Sequence, residues 1–230
     1  MNTYQLVQKG ESHPVYCEDF VMVHEATEKT TFAVLDGCSG GKESHFASAL
    51  IGKLLRKNAS DGTLKGILQK TFLDLQEIQK TMHLQEEELL ATVLLGVYDK
   101  KTQYCEIIAI GDGYVLINNK LHEIDQQNTP DYWAYYLQDD FEKWWGRQVI
   151  YTAQSPKRIA ISTDGIDTFK SHKSKEDLPI DFNPVNFLLF DTQWANLPTM
   201  LTRKFKILHT QYGYQPFDDI GLILMMGNNK

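Results

Sequence analysis

Short runs of apolar and β-branched residues recur along the chain, and Gly, Asp or Asn bounds them. Runs of this length and composition are typical of β-strands. Hairpin-like spacing around Gly111-Asp112-Gly113 and Asn118-Asn119-Lys120 indicates antiparallel pairing between neighbouring strands. The predicted strands are Phe20–His24, Thr31–Leu35, Ala91–Tyr98, Tyr104–Ile110, Tyr114–Asn118, Arg158–Ser162 and Ile220–Met226.

Two longer segments, Phe46–Lys57 and Leu64–His83, carry apolar residues every three or four positions, which is the spacing of one buried helix face. A third helix is predicted at Trp194–His209, just before the last strand. The strands therefore come in groups rather than alternating with helices. This order favours an α+β fold with two sheets and with helices outside them.

The chain of 230 residues shows no internal repeat and no linker, so we expect one domain over residues 1–230. Its least regular segment is an insertion at about residues 126–147, which contains Trp133, Trp144 and Trp145. Long irregular segments in compact domains are often functional or mobile. The aromatic residues of this segment could instead pack together, which is the more usual role of such a cluster.

The composition narrows the class of protein. With 42% hydrophobic and 23% charged residues, the chain is expected to be globular rather than disordered. The net charge of -7 and the lack of a basic run argue against a nucleic-acid partner. Three widely spaced cysteines fit a reducing compartment, and neither a signal peptide nor a membrane-spanning stretch is evident. We expect a cytoplasmic protein that is a monomer and contacts no membrane.

Acidic residues lie at the ends of predicted strands at five places in the chain. A turn is the ordinary explanation for any one of them, because Gly supplies positive φ and Asp bonds its own backbone. If the strands bring these ends to one edge, however, the carboxylates repel each other unless cations neutralise them. Oxygen donors suit Mg²⁺ or Mn²⁺ rather than zinc, and no His/Cys cluster competes. The five places are Glu18-Asp19, Asp36-Gly37, Gly111-Asp112-Gly113, Asp164-Gly165 and Asp218-Asp219.

The same acids stand inside a longer series of motifs. In order, these are Gly10-Glu11-Ser12-His13 leading to Glu18-Asp19-Phe20, Phe32–Gly37 with Gly40-Gly41, Ala91-Thr92, Ile110–Gly113, Ser162–Ile166 and Asp218–Leu222. The series resembles the metal-dependent protein phosphatase family of the protein phosphatase 2C type, in a divergent bacterial-type branch. The resemblance spans nearly the whole chain. It implies a two-sheet antiparallel β-sandwich flanked by α-helices, with the site in a cleft at one end.

The resemblance also implies a site for two divalent cations, with a third and weaker position. Asp36 would bridge two Mn²⁺ or Mg²⁺ ions, and the Gly37 carbonyl would bind one of them. Asp164 and Asp218 would complete the shell of the other ion. The expected metal ligands are Asp36, Gly37, Asp164, Asp218, Glu18, Asp19 and Asp112, of which Glu18 and Asp19 would act mostly through waters and Asp112 would serve the third position.

The implied reaction is hydrolysis of phosphoserine or phosphothreonine by attack of a water that bridges the two cations. A metal pair lowers the pKa of bound water from about 16 toward neutrality and clamps the attacking and leaving oxygens. No covalent phosphoenzyme is required, so Cys17 and Cys38 need not be nucleophiles. The expected partners are a phosphorylated protein substrate and a cognate Ser/Thr kinase.

The chain departs from the family pattern at several positions. Many members have an Arg shortly before the Glu-Asp pair, where it binds the substrate phosphate. Here His13 could take over that contact or supply a proton to the leaving group, although a lone His is more often structural. Cys38 stands where some members have His, Gly113 where Ser is usual, and Asp219 where Asn is frequent.

Two other hypotheses about the function stay open. A catalytically silent relative could recognise phosphoproteins as a regulatory module, which the missing Arg favours and the retained acids disfavour. A different metal-assisted phosphohydrolase could act on a small-molecule phosphate ester, because the ions handle the phosphoryl group and say little about the rest of the substrate.

Overall fold

The computed structural model describes residues 1–127, 129–173 and 182–227. The strands in these residues are β1 (Asn2–Gln8), β2 (Asp19–Glu25), β3 (Lys29–Gly37), β4 (Ala91–Asp99), β5 (Tyr104–Ile110), β6 (Gly113–Ile117), β7 (Lys120–Ile124), β8 (Ile150–Gln154), β9 (Arg158–Ser162), β10 (Phe169–Ser171), β11 (Tyr214–Pro216) and β12 (Ile220–Met226). The α-helices are α1 (Ser44–Asn58), α2 (Leu64–Met82), α3 (Phe141–Trp145), α4 (Pro184–Leu189) and α5 (Met200–Thr210).

Two five-stranded antiparallel sheets form the centre of the fold. The first sheet has the strand order β1-β12-β9-β6-β7, and the second has the order β2-β3-β4-β5-β8. Strands β10 and β11 form a separate two-stranded sheet. Fully buried side chains join the two inner faces, among them Phe32, Val34 and Leu94 from the second sheet and Val115 and Ile223 from the first. The predicted two-sheet antiparallel β-sandwich is confirmed.

Strand β12 shows why some strands are apolar along their whole length. All seven of its residues are buried. Ile223 and Met225 pack between the sheets, whereas Leu222 and Leu224 pack with residues of the helices outside the first sheet. A strand that is covered on both faces needs apolar residues at every position. Its unbroken apolar run is therefore a strong strand signal.

Helices cover the outer face of each sheet. Helices α1 and α2 pack on the second sheet, where Leu55, Ile67 and Phe72 join Leu35 in one buried cluster. Helices α4 and α5 pack on the first sheet through residues such as Leu188. None of the helices in the described part of the chain has both the length and the apolar character needed to cross a bilayer.

The third predicted helix was wrong at its beginning. We expected a helix over Trp194–His209, but α5 starts at Met200. Trp194 has φ 62, in the left-handed region, and Pro198 disfavours a helical conformation in the residue before it. Helices α3 and α4 and several strands are also absent from the prediction. Of these strands, β1, β7 and β8 are sheet edges with exposed positions, and β10 and β11 have only three residues each.

The segment predicted as an insertion, residues 126–147, packs against α2, although its residue Asn128 lies outside the described part of the chain. It contains a 3₁₀ turn at Trp133–Tyr136, followed by α3. The rings of Trp133 and Trp144 are fully buried and stack with centroids 5.6 Å apart, beside Phe72 of α2. The packing interpretation of the aromatic cluster is confirmed for these two residues.

A 3₁₀ turn at Asp164–Asp167 follows β9 and lies directly against the residues before β12. A Cβ atom on Gly165 would lie 1.7 Å from the carbonyl oxygen of Asp219, far inside van der Waals contact. Only glycine permits this approach, which brings the Asp164 carboxylate close enough to Asp218 for repulsion.

Replacing Gly165 with Ala should therefore destabilise the protein by about 1–3 kcal/mol or more, because one of the two backbone segments must move. Gly40→Ala is the matched control, since the nearest atom to its Cβ, Cys38 Sγ, would be 3.8 Å away. The free energy of unfolding in urea should fall for the first variant only. Equal stability of the two variants would contradict this packing.

Candidate metal centre

One end of the sandwich gathers acidic residues from both sheets. In the second sheet, β2 and β3 pair so that Asp19 stands directly opposite Asp36. In the first sheet, the antiparallel pairing of β9 and β12 puts Asp164, just past the end of β9, near Asp218, just before β12. Backbone ladders thus bring together side chains that are far apart in the sequence.

Hydroxyl groups hold the two innermost aspartates, whose carboxylates lie within hydrogen-bonding range of each other. The buried Thr163 hydroxyl donates to Oδ2 of Asp19 at 2.7 Å and accepts the N–H of Gly221 at 2.9 Å. The Thr92 hydroxyl accepts the backbone N–H of Asp36 at 3.2 Å. These contacts fix Asp19 and Asp36 in place and add no positive charge.

Burial and mutual repulsion raise the pKa of the inner carboxyl groups. For Asp36, burial is the largest cause, and the charges of Asp19 and Asp164 raise the pKa further. Burial also raises the pKa of Asp19, although the hydrogen bond from Thr163 opposes this effect. Burial and the charge of Asp218 raise the pKa of Asp164 to about 6. The cluster therefore resists becoming fully ionised.

The donor set fits a hard divalent cation. Within residues 1–127, 129–173 and 182–227, no Lys or Arg forms an ion pair with Asp19, Asp36, Asp164 or Asp218. Oδ1 of Asp19 is buried and has no hydrogen-bond partner. A buried carboxylate oxygen without a partner is costly, and Mg²⁺ and Mn²⁺ prefer such oxygens.

The acidic side chains of this cluster do not point toward one common centre. Within the described residues, no group of three or more His, Cys, Asp or Glu side chains could hold a metal ion as it stands. Asp19 and Asp36 face each other instead, and Oδ1 of Asp218 accepts the backbone N–H of Asp219 at 2.8 Å. Holding an ion would require these carboxylates to turn within the place where the strands put them.

The other predicted ligands surround this centre. The charge of Asp112 contributes to the repulsion on Asp164, and its Oδ1 accepts the N–H of Gln126 at 2.8 Å. Burial raises the pKa of Asp112 as well. The carbonyl of Glu18 accepts the N–H of Gly37 at 3.2 Å, which places both residues beside Asp36. All the predicted metal ligands therefore lie at this end of the sandwich.

His13 lies at the rim of the cluster. Its Nδ1 is 2.8 Å from Oδ2 of Asp219 and 3.6 Å from Oδ1 of Asp218. Its Nε2 is 3.3 Å from Oγ of Ser39 and 3.6 Å from Oε2 of Glu18. Burial lowers the pKa of His13, but the contact with Asp219 and the charges of Glu18 and Asp218 outweigh burial and raise the pKa overall. His13 is therefore biased toward its cationic form.

No sequence signal identifies the polar side chains that hold these residues. Thr163 and Thr92 belong to the motifs, but their contacts with Asp19 and Asp36 come from strand pairing. Tyr132 belongs to the irregular segment, and its phenol lies near Cys38 beside the cluster, where burial and this thiol raise the pKa of Tyr132. Such contacts join residues that are distant in sequence, so local pattern does not reveal them.

Known proteins show the same sequence family and the same fold. A sequence model of the family described as Protein phosphatase 2C matches residues 10–201. No curated protein matches the chain. Similar solved structures include RsbX in complex with magnesium, at 17% identity over 96% of this chain and 92% of that chain, with a TM-score of 0.59.

Two further structures are the serine/threonine phosphatase Stp1 from Staphylococcus aureus and the phosphatase domain, with a fragment of the regulatory domain, of SpoIIE from Bacillus subtilis. Stp1 is 12% identical over 100% of this chain and 96% of that chain, with a TM-score of 0.64. The SpoIIE structure is 17% identical over 97% of this chain and 62% of that chain, with a TM-score of 0.59. At these identities the structural likeness establishes the fold.

The metal-free protein should lose stability as the pH rises from about 4, where an unfolded Asp ionises, to about 6, where the folded Asp164 does. Over this interval the folded state binds more protons than the unfolded state, so raising the pH favours unfolding. Unfolding in urea with EDTA, measured across this interval, should show the loss. Asp164→Asn should reduce it, and Mn²⁺ at neutral pH should restore stability by binding the folded state.

Asp139→Asn is the matched control, because this carboxylate is exposed and lies outside the cluster. If Asp164→Asn loses as much stability with rising pH as Asp139→Asn does, the neighbouring acids do not raise the pKa of Asp164.

Proposed function

The chain belongs to the protein phosphatase 2C family, and we propose that it is a metal-dependent phosphatase that removes phosphate from phosphoserine and phosphothreonine in proteins. The observation that carries the proposal is the convergence of Asp19, Asp36, Asp164 and Asp218 at one sandwich end, with raised pKa values for the inner three and no Lys or Arg paired with them in the described residues. Such a cluster is expected where cations bind.

In this proposal, Asp36 and the Gly37 carbonyl hold two Mn²⁺ or Mg²⁺ ions together with Asp164 and Asp218. Glu18 and Asp19 act mostly through waters, and Asp112 serves a third position. When bound, the cations would supply an activated water and would neutralise charge on the phosphoryl oxygens. Magnesium is present in the structure of RsbX, which shares this fold, and we extend that preference to this chain as part of the proposal.

The contribution of the chain itself is to place and orient these groups. Thr163 holds Asp19 by a hydrogen bond at 2.7 Å, and Thr92 holds the backbone of Asp36. Residues held in this way would keep the cations in place while negative charge develops on the substrate, and such prearranged positive charge is the main source of electrostatic catalysis. His13 is assigned the phosphate contact or the proton supplied to the leaving group, because its ring lies at the rim with a raised pKa.

The proposed partners are a phosphorylated protein and a cognate Ser/Thr kinase, in the cytoplasm. Support comes from similar structures, since Stp1 is a serine/threonine phosphatase and SpoIIE carries its phosphatase domain beside a regulatory domain. The cytoplasmic location is supported by the three free cysteines, which suit a reducing compartment.

With Mn²⁺ or Mg²⁺, the protein should hydrolyse a phosphoserine peptide, and EDTA should abolish turnover. Asp36→Asn and Asp164→Asn should each lower kcat by at least about 100-fold, because each removes a charge that holds the ions. Asp139→Asn should keep wild-type activity, since this exposed side chain lies outside the cluster. Thermal unfolding of all variants should show that the fold is intact.

Robust hydrolysis of the phosphoserine peptide in the presence of EDTA would contradict the proposal. Calorimetry with Mn²⁺ separates the alternatives: tight metal binding without hydrolysis of any phosphopeptide would indicate a silent phosphoprotein-binding module. A panel of phosphorylated metabolites beside the peptides would reveal a small-molecule phosphohydrolase by faster turnover of the metabolites.

A further inference from the structure

His13 and Asp219 are in direct contact, and both stand at positions where the chain departs from the family pattern. Nδ1 of His13 lies 2.8 Å from Oδ2 of Asp219, and their side chains are 13% and 1% exposed. The ring N–H is not aligned with this oxygen, so the contact is ionic more than a well-directed hydrogen bond. A buried contact of this kind between two departing positions indicates that they act as a pair.

The carboxylate of Asp219 is fully engaged in holding the loop of residues 10–18. Its Oδ1 accepts the N–H of Gly10 at 2.6 Å, and its Oδ2 accepts the N–H of Glu18 at 2.5 Å, beside the contact with His13. A carboxylate can accept on both oxygens, whereas an Asn side chain has one acceptor oxygen and a donor NH₂ group. Only Asp can therefore serve all these donors at once.

The geometry of the loop of residues 10–18 shows what the contacts of Asp219 hold in place. Its first part is bonded to the chain before Asp219, because Glu11 N donates to Pro216 O at 3.1 Å and Ser12 N donates to Phe217 O at 2.8 Å. Asp219 then joins both ends of the loop, at residues 10 and 18, to the start of β12. The loop carries His13 at its middle and leads directly to the predicted ligands Glu18 and Asp19.

The contact also determines which ring nitrogen faces the site. With Nδ1 beside Asp219, Nε2 lies toward the exposed Ser39 and toward Glu18, on the side where the acidic cluster opens. We infer that Asp219 is a positioning residue, which fixes the loop of residues 10–18 and turns the His13 ring so that Nε2 faces the substrate phosphoryl group. This inference rests on the proposed function for its substrate, but not for the orientation of the ring.

The orientation is tested first, without any turnover. Side-chain ¹⁵N NMR of the magnesium-bound or metal-free protein at one neutral pH shows which imidazole nitrogen carries a proton. His13→Gln assigns the signal, and His122→Gln is the matched control, since His122 lies on the edge strand β7 and its ring packs against Tyr151. The wild-type protein should carry a proton on Nδ1 of His13, and Asp219→Asn should shift that signal. A wild-type Nδ1 without a proton, or a His13 signal unaffected by Asp219→Asn, would overturn the inference.

Steady-state kinetics on a phosphoserine peptide test the consequence. Asp219→Asn and His13→Gln should each raise KM about tenfold with a smaller change in kcat, which is the range measured for residues that orient another group. In the double variant KM should rise no further than in His13→Gln alone, because Asp219 acts through His13. His122→Gln should change neither parameter.

The opposite result is that the KM effects of the two substitutions multiply in the double variant while kcat and thermal stability fall together. That result would indicate a merely structural role for Asp219 and would overturn the inference. If Asp219→Asn does not fold, the Nδ1 protonation of the wild-type protein decides the question alone. If the wild-type protein hydrolyses no phosphopeptide, the proposed function fails, whereas the NMR result still tells whether Asp219 orients His13.

Discussion

The repulsion among carboxylates crowded at one end of the sandwich is the constraint on which the rest of the site depends. Asp19, Asp36 and Asp164 all have raised pKa values, with burial as the largest cause and neighbouring acids as a further one. Removing water strengthens every charge interaction among them. The same site therefore lowers the stability of the protein when no cation neutralises it, and under the proposed function it is the place where divalent cations would bind. Stability, pH and metal binding would then be coupled through these residues.

The apolar interior is what can force such groups together. Full burial of one large aliphatic side chain stabilises a fold by about 1.5–3 kcal/mol, and all seven residues of β12 are buried. Such fully buried strands hold their ends at the same place even when those ends carry acidic residues that repel each other. Asp218 and Asp219 precede β12, yet they act differently, because Asp219 turns inward to the loop of residues 10–18 whereas Asp218 stays partly exposed beside Asp164.

The sequence was sufficient for the main strands, because their local signals are strong, and the family resemblance added the sandwich and the acids that the structure places at its end. The limits of β5, β9 and β12 match their apolar runs, and the acids follow or precede such runs directly. Edge strands such as β1 were not predictable, because their exposed polar positions interrupt the apolar run that indicates a strand. The start of α5 was not predictable either, because a turn that contains Pro198 precedes it. The pairing of His13 with Asp219 was also beyond the sequence, because β12 brings together residues about two hundred positions apart.

The most direct test of the central claim is a crystal grown with saturating Mn²⁺, measured with anomalous scattering at a wavelength where manganese contributes. We expect two manganese peaks bound by Asp36, Asp164 and Asp218, with the carboxylates of Asp19 and Asp36 turned away from each other. A crystal with no manganese within bonding distance of Asp36, or with Asp19 and Asp36 still in contact with each other, would contradict the proposed metal centre.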